Sequence, residues 1–280
     1  MAAEFGNHLS ETCLKVFSDE STRHADLLKR TAAEALGHLR TCDAPYHDAE
    51  HTMIVTLVGQ QILLGQLKTG VVTPDDWVHV IVALLLHDIG FARGVCEGDT
   101  FNEVVINEAG ERVCPARGAT DACLGPYHVD RSKLFARQRF AGSEIIDAER
   151  LAAAIEYTRF PVPDDPAYAA HASEPGLVRA ADLIGQIADP YYFRKISGLY
   201  HEFAETGFTE KLGLCSPMDL VDLFPRFFHD QVEGLIGPAL EHLRRTEEGR
   251  ELIERLYERV TQISRRENTL GPFSGPPSRP

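Results

Sequence analysis

The sequence predicts an all-α protein, and three observations carry that expectation. Apolar residues recur at helical spacing along nearly the whole chain, helix starts and stops are marked by capping residues, and no run alternates with β-branched enrichment for long enough to make a sheet. The expected organisation of the 280 residues is a helical core with N-terminal helices over 1–190, a C-terminal helical extension packed on it over 191–266, and a disordered tail over 267–280.

Taken in order, residues 9–41 carry a helical apolar period, which resumes from Tyr46 to about Leu67 after the break Asp43-Ala44-Pro45. Thr73, Pro74, Asp75 and Asp76 spell a helix start: an N-cap, a proline at the first helical position, and two acids facing the positive end of the dipole. The helix they open is apolar on every face as far as Ile89 and therefore belongs in the middle of a core. Gly90 and Gly94 punctuate its end, and residues 93–130, mixing Gly, Pro, Cys, Asn and acids, read as a long loop of the kind used for lids and binding segments. Helices follow over 131–146, over 148–160 until Pro161 and Pro163 stop them, and over 176–189. From Pro190 to about Arg266 the period stays helical, with interruptions near Thr206-Gly207-Phe208, Ser216-Pro217 and Phe224-Pro225, and the tail is low-complexity by composition.

With 44% hydrophobic and 25% charged residues the chain falls among globular proteins, a composition that allows a packed enzyme. A net charge of −14 lacks the basic footprint for a nucleic-acid polymer, while a bound cation still lets a small phosphorylated substrate approach. No stretch approaches the roughly 20 apolar residues of a membrane span. The start Met1–Ser10 lacks a basic segment followed by an apolar one, so the expected location is cytoplasmic, with no membrane partner. The cysteines at 13, 42, 96, 114, 123 and 215 form no C-x-x-C pair and read as reduced thiols. Cys96, Cys114 and Cys123 share a loop with His128, which leaves a loop zinc site as an alternative.

Chemistry concentrates elsewhere. His87 and Asp88 end the buried helix, where a carboxylate is expensive without a partner and a metal ion is one of the few partners that compensate it. His47 and His51 are spaced i,i+4, which predicts both imidazoles on one helix face, and Asp182 sits among Val178, Ala181, Leu183 and Ile184 on another buried helix. Three histidines and two aspartates are thus expected to converge. Mixed nitrogen and oxygen donors suit Mn, Fe, Co, Ni or Zn, or Mg if carboxylates dominate, as one or two ions.

In order and rough spacing, His51, His87 with Asp88, and Asp182 resemble the signature of the HD superfamily of metal-dependent phosphohydrolases, over about residues 46–190. The segment 46–51, YHDAEH, resembles the Y-H-N-x-x-H of cyclic-nucleotide phosphodiesterases, and AADLIGQ resembles their A-A-D-L-S-N; a weaker likeness runs through YHEFAETGFTEKLGLCSPMDL. The resemblance implies an HD-domain helical bundle, a metal held by His51, His87, Asp88 and Asp182, His47 as the general acid, and a second metal sharing Asp88 and a bridging hydroxide. It implies hydrolysis of a phosphoester, of a nucleotide or cyclic nucleotide, by metal-activated hydroxide. The chain departs from the phosphodiesterases in having HDIGF where a further histidine stands, and in aligning Gln231 with their base-binding glutamine only across a gap. Gln138, Tyr157 and Thr158 stand where diiron oxygenases and HD-GYP phosphodiesterases place extra histidines, although His128 or His171 offers a ligand from a loop. A diiron oxygenase and an inactive metal-binding regulatory module are the alternatives.

For the substrate's phosphate, the basic cluster His128, Arg131 and Lys133 at a helix start is the candidate binding group. Arg137 and Arg139 read as surface residues, His79, His171, His201 and His229 as packing or surface histidines, and Trp77 as a packing anchor. Glu50 is placed to orient His47.

Overall fold

The computed structural model describes residues 1–18 and 21–265; the tail expected over 267–280 lies outside the described residues. The fold is mostly α-helical. Helices α1 (Ala2–Phe17) and α2 (Thr22–Leu39) pack on each other, followed by α3 (Ala49–Gln66) and α4 (Pro74–Leu86). At the head of α4 the expected start signal is a full capping box: the Asp76 N–H donates to the Thr73 hydroxyl (3.1 Å) and the Thr73 N–H to the Asp76 carboxylate (3.0 Å). From Trp77 to Leu86 every residue of α4 is buried. Its surroundings are α2 and α3 together with α5 (His128–Phe140) and its successors α6 (Ala148–Glu156) and α7 (Glu174–Ile187), of which α6 and α7 touch it directly. Trp77 meets the Phe17 ring edge-on at 5.6 Å, as a packing anchor does.

Three expectations need adjustment. The loop 93–130 carries a small antiparallel hairpin, β1 (Val104–Val105) against β2 (Arg112–Val113), with Val104 opposite Val113; strands of two residues are too short for alternation to reveal. The helix expected over 131–146 starts earlier, at His128, and stops at Phe140, because Gly142 takes a left-handed φ of 70° and Asp147 then caps a new helix by accepting from Glu149 and Arg150 N–H. Finally, the break expected near Phe224-Pro225 is absorbed within α10. After α8 (Tyr192–Glu205) and α9 (Phe208–Leu212), α10 (Pro217–Phe227) runs through Pro225 into a π turn over Phe228–Val232, which continues into α11 (Glu233–Leu243).

Helix α11 packs on both α3 and α7, and α12 (Glu247–Ser264) joins it there. One cluster of buried apolar side chains accordingly extends from Leu9 to Ile263. No helix among the described residues is long and apolar enough to cross a membrane.

Two glycines set distances that matter for chemistry. A Cβ on Gly185 of α7 would stand 3.0 Å from the backbone of Val55 on α3, so the absence of a side chain lets these helices touch. His51 lies one turn before Val55 and Asp182 one turn before Gly185, so this contact brings the two residues side by side. Gly90, just beyond the end of α4, lies under the first turn of α5, where a Cβ would come within 2.0 Å of the His128 carbonyl oxygen. Gly90→Ala is therefore expected to push α5 outward and to destabilise the protein by about 1–3 kcal/mol, the usual range for overpacking. Urea unfolding measures it, and an unchanged midpoint would show that the close approach is dispensable.

Candidate metal centre

The site lies where three helices bring their polar exceptions together. α4 ends at Leu86, leaving His87 and Asp88 at its C-terminal end, where the helix dipole favours positive charge. His51 is in the first turn of α3, its N–H donating to the N-cap Asp48 carboxylate at 2.8 Å, and Asp182 comes from the middle of α7. His51 Nε2 is 3.4 Å from both Asp88 Oδ2 and Asp182 Oδ1, and His87 Nε2 is 3.0 and 3.6 Å from the same two oxygens. The ligand atoms of His51, His87 and Asp182 all lie within 4.8 Å of one another, a spacing that could hold a metal ion. Among the described residues no cysteine joins such a group, and all six cysteines are free thiols.

The donor set fits a cation. His87 Nδ1 donates to the Leu84 carbonyl at 2.7 Å, which frees Nε2 as a lone-pair donor. His87 Nε2 and Asp88 Oδ2 are buried without a hydrogen-bond partner, although they stand 3.0 Å apart. Buried polar atoms that face each other without bonding are what two ligands of a common ion look like. Electrostatics agree. Burial opposes ionisation of Asp88 and Asp182, yet the neighbouring imidazoles outweigh it and hold both carboxyls well below the usual range. For His87 burial opposes the charge, and Asp88 with Asp182 outweighs it and raises the imidazole well above its ordinary value. Without a metal, protons supply the positive charge that the carboxylates demand.

Around this cluster a second layer of rings is arranged. His47 is about one-fifth exposed and its Nδ1 is 2.5 Å from Glu202 Oε2; the other Glu202 oxygen accepts from the N–H groups of Tyr46 (2.7 Å) and His47 (3.1 Å). Burial opposes protonation of His47, but Glu202, aided by Asp88 and Asp182, prevails and raises it to about 9. His128 Nδ1 donates to the Gly125 carbonyl at 2.5 Å, and Nε2 faces Asp88 Oδ1 at 3.8 Å; burial pushes this imidazole below its ordinary value and keeps it neutral. Phe91 stacks on both, with ring centroids 4.4 Å from His47 and 4.5 Å from His128. The two imidazoles are 6.1 Å apart, so they share the phenyl ring side by side.

A family model, described as Npun_R2479-like, matches residues 1–266. The chain belongs to the Npun_R2479-like family. No curated protein and no solved structure matches it.

In this Npun_R2479-like protein the expected ligands His51, His87, Asp88 and Asp182 stand together, while their neighbours differ from expectation in several ways. His47 and His51 do not share a helix face: Asp48 caps α3, so His47 precedes the helix and its ring stands at 86° to that of His51. Glu50 pairs with Lys195 at 3.2 Å, and the residue that orients His47 is Glu202. Glu202 lies 155 residues away, and its signal in the sequence is a carboxylate continuing the buried stripe Tyr192, Ile196, Leu199 of α8.

Of the expected phosphate-binding cluster only His128 faces the centre. Arg131 is fully buried and organises the preceding loop: Nε donates to Gly90 O (2.7 Å), Nη2 to Ala92 O (2.8 Å) and Asp99 Oδ2 (3.0 Å), and Nη1 to Asp99 Oδ1 and Val105 O. Lys133 is held between Asp130 (2.9 Å) and Glu156 (2.5 Å). Neither is free for phosphate: carbonyls and the Asp99 carboxylate take all five donors of the Arg131 fork, and two carboxylates hold the Lys133 ammonium. Gln138 accepts from the Glu97 N–H, and Gln231 is exposed on the π turn. His79 bridges α4 to the start of α6, with Nδ1 bonded to the Asp75 carbonyl and Nε2 accepting from the Asp147 N–H. Arg131→Ala is expected to cost about 3–5 kcal/mol of stability, as removal of one partner of a buried pair does. Chemical denaturation measures it; a variant of wild-type stability with raised KM would return Arg131 to the substrate.

Proposed function

We propose that this protein is a metal-dependent phosphohydrolase of the HD type that cleaves the phosphoester of a small phosphorylated substrate, a nucleotide or cyclic nucleotide. One observation carries the reading: the ligand atoms of His51, His87 and Asp182 lie close enough together to hold an ion, Asp88 Oδ2 stands 3.0 and 3.4 Å from the two imidazoles, and beside them a further histidine is held protonated by a buried glutamate. His51, His87, Asp88 and Asp182 would hold a divalent ion, Mn, Fe, Co, Ni, Zn or Mg, with His128 beside the second oxygen of Asp88. Such an ion supplies water of lowered pKa and positive charge beside the phosphoryl oxygens. His47, His128 and Asp182 are each about one-fifth exposed, so substrate enters on their side. Through its Nδ1 contact Glu202 directs the other ring nitrogen of His47 outward, where its proton passes to the departing alkoxide. Six free thiols suit a reducing cytoplasm.

The decisive experiment pairs metal analysis with a phosphoester panel. Stoichiometric metal and phosphate release abolished by chelation support the reading; iron with oxygen consumption and no phosphate release replaces it with an oxygenase. The two histidines of the 46–51 segment separate further. His47→Ala should keep its metal and lose about 10²–10⁴ in rate on alkoxide leaving groups, with activated aryl esters much less affected. His51→Ala should lose metal and both activities, and equal metal loss in the two variants would make them a ligand pair.

The pH dependence follows from Glu202. An acid works only while protonated, so kcat should be full at low pH and fall as His47 deprotonates. A cation cancels the shares of Asp88 and Asp182, so the falling limb is expected between the ordinary 6.5 and about 9. In Glu202→Gln burial is left opposed by less, and the limb should move to lower pH. A pH–rate profile measures this, and an unmoved limb would remove Glu202 from the proton path.

A further inference from the structure

Two arginines are buried almost completely, Arg131 at 0% and Arg179 at 2% exposure. They differ in what faces the charge. Arg131 has Asp99 at 3.0 Å. Among the described residues Arg179 has no carboxylate within salt-bridge distance: Nη1 and Nη2 donate to the Tyr168 carbonyl (3.2 Å each), Nη2 also meets His171 Nδ1 (2.7 Å), and the guanidinium lies 5.0 Å from the centroid of the Tyr157 ring. Its Nε is buried with no partner. A carbonyl, a neutral imidazole and a ring face orient a guanidinium without neutralising it, and a buried charge of this kind calls for an anion. Position supplies the reason for one. Arg179 precedes Asp182 by three residues on α7, so the two are neighbours on the helix surface. The Tyr157 ring beside the guanidinium stacks on the Tyr168 ring at 5.4 Å and both are half-buried, so the covering is close to solvent.

We propose that Arg179 is an oxyanion subsite of this centre, taking a second acidic group of the substrate, a carboxylate or a further phosphoryl group, while the reacting phosphoryl lies against His51, His87, Asp88 and Asp182. The substrate class is then a phosphoester that carries a second anion. The identification of that anion as part of the substrate rests on the phosphohydrolase reading, whereas the binding of an oxyanion at Arg179 does not. The unpartnered Nε–H is the donor that an incoming oxygen takes, and because the Nη2–H beside it is held by His171 Nδ1, a side-on carboxylate or phosphate displaces that imidazole from the guanidinium edge. This subsite supplies the cation that the sequence sought in Arg131 and Lys133.

The test uses full-length protein freed of metal by chelation, so that no ion can capture the probe. Inorganic phosphate and malonate are titrated separately, with Tm and the arginine Nε–H resonances followed by NMR. The expected result is a Tm rise of roughly 2 °C at tenfold excess over Kd. One Nε–H signal, absent from the spectrum of Arg179→Lys, should shift with the probe, and phosphate against malonate tells which acid the fork prefers. Wild-type protein in which neither Tm nor any Nε–H signal responds overturns the proposal, with no variant needed. A response that persists unchanged in Arg179→Gln overturns it as well and assigns the anion elsewhere. In the metal-loaded enzyme, Arg179→Gln should raise KM for doubly acidic esters at least tenfold more than for esters of neutral alcohols. Anion binding without hydrolysis would sink the phosphohydrolase reading and leave the subsite standing.

Discussion

A carboxylate buried at the end of an apolar helix, Asp88, with Asp182 close by, is the constraint on which the rest depends. Asp88 is 2% exposed and sits at the end of a helix with no polar face, so no solvent is at hand to stabilise its charge. Only positive charge brought by neighbouring chain segments, or by an ion they hold, makes that burial tolerable. The convergence of α3, α4 and α7 answers this demand. The close contact of Gly185 with Val55 is the local device that allows α3 and α7 to bring their ligands into range.

The C-terminal helices belong to the same solution. Glu202 on α8 reaches back to Tyr46 and His47, fixing the turn before α3 through two backbone N–H groups and charging the imidazole through a third contact. Phe91, placed by the 3₁₀ turn after Asp88, then holds His47 and His128 side by side. The candidate metal ligands and His47 are thus positioned by different parts of the chain.

The contrast between the two buried arginines shows how the same residue type takes opposite roles. Arg131 has every nitrogen engaged and an acid at hand, so it works as a rivet that ties the long loop to α5. Among the described residues Arg179 has no acid within salt-bridge distance, and a carbonyl and an imidazole face its guanidinium instead. Residue type did not distinguish them. Partner chemistry did.

The helical class, the buried helix with its capping box, and the grouping of His51, His87, Asp88 and Asp182 were legible in the sequence, because each rests on local periodicity or on a buried charge that has few remedies. The two-residue strands were not legible, since so short a run leaves no period, and neither was the break between His47 and His51, where one aspartate chose to cap rather than to continue a helix. Long-range pairing was beyond reach: Glu50 and Glu202 are equally acidic in the sequence, and Arg131 and Lys133 equally basic. Which acid meets which imidazole, and which cation is consumed by a carboxylate, is set by side chains brought together from distant segments. Sequence alone determined the chemistry that had to be compensated; only the tertiary structure decided the partners that compensate it, because burial and contact exist only once the helices have packed.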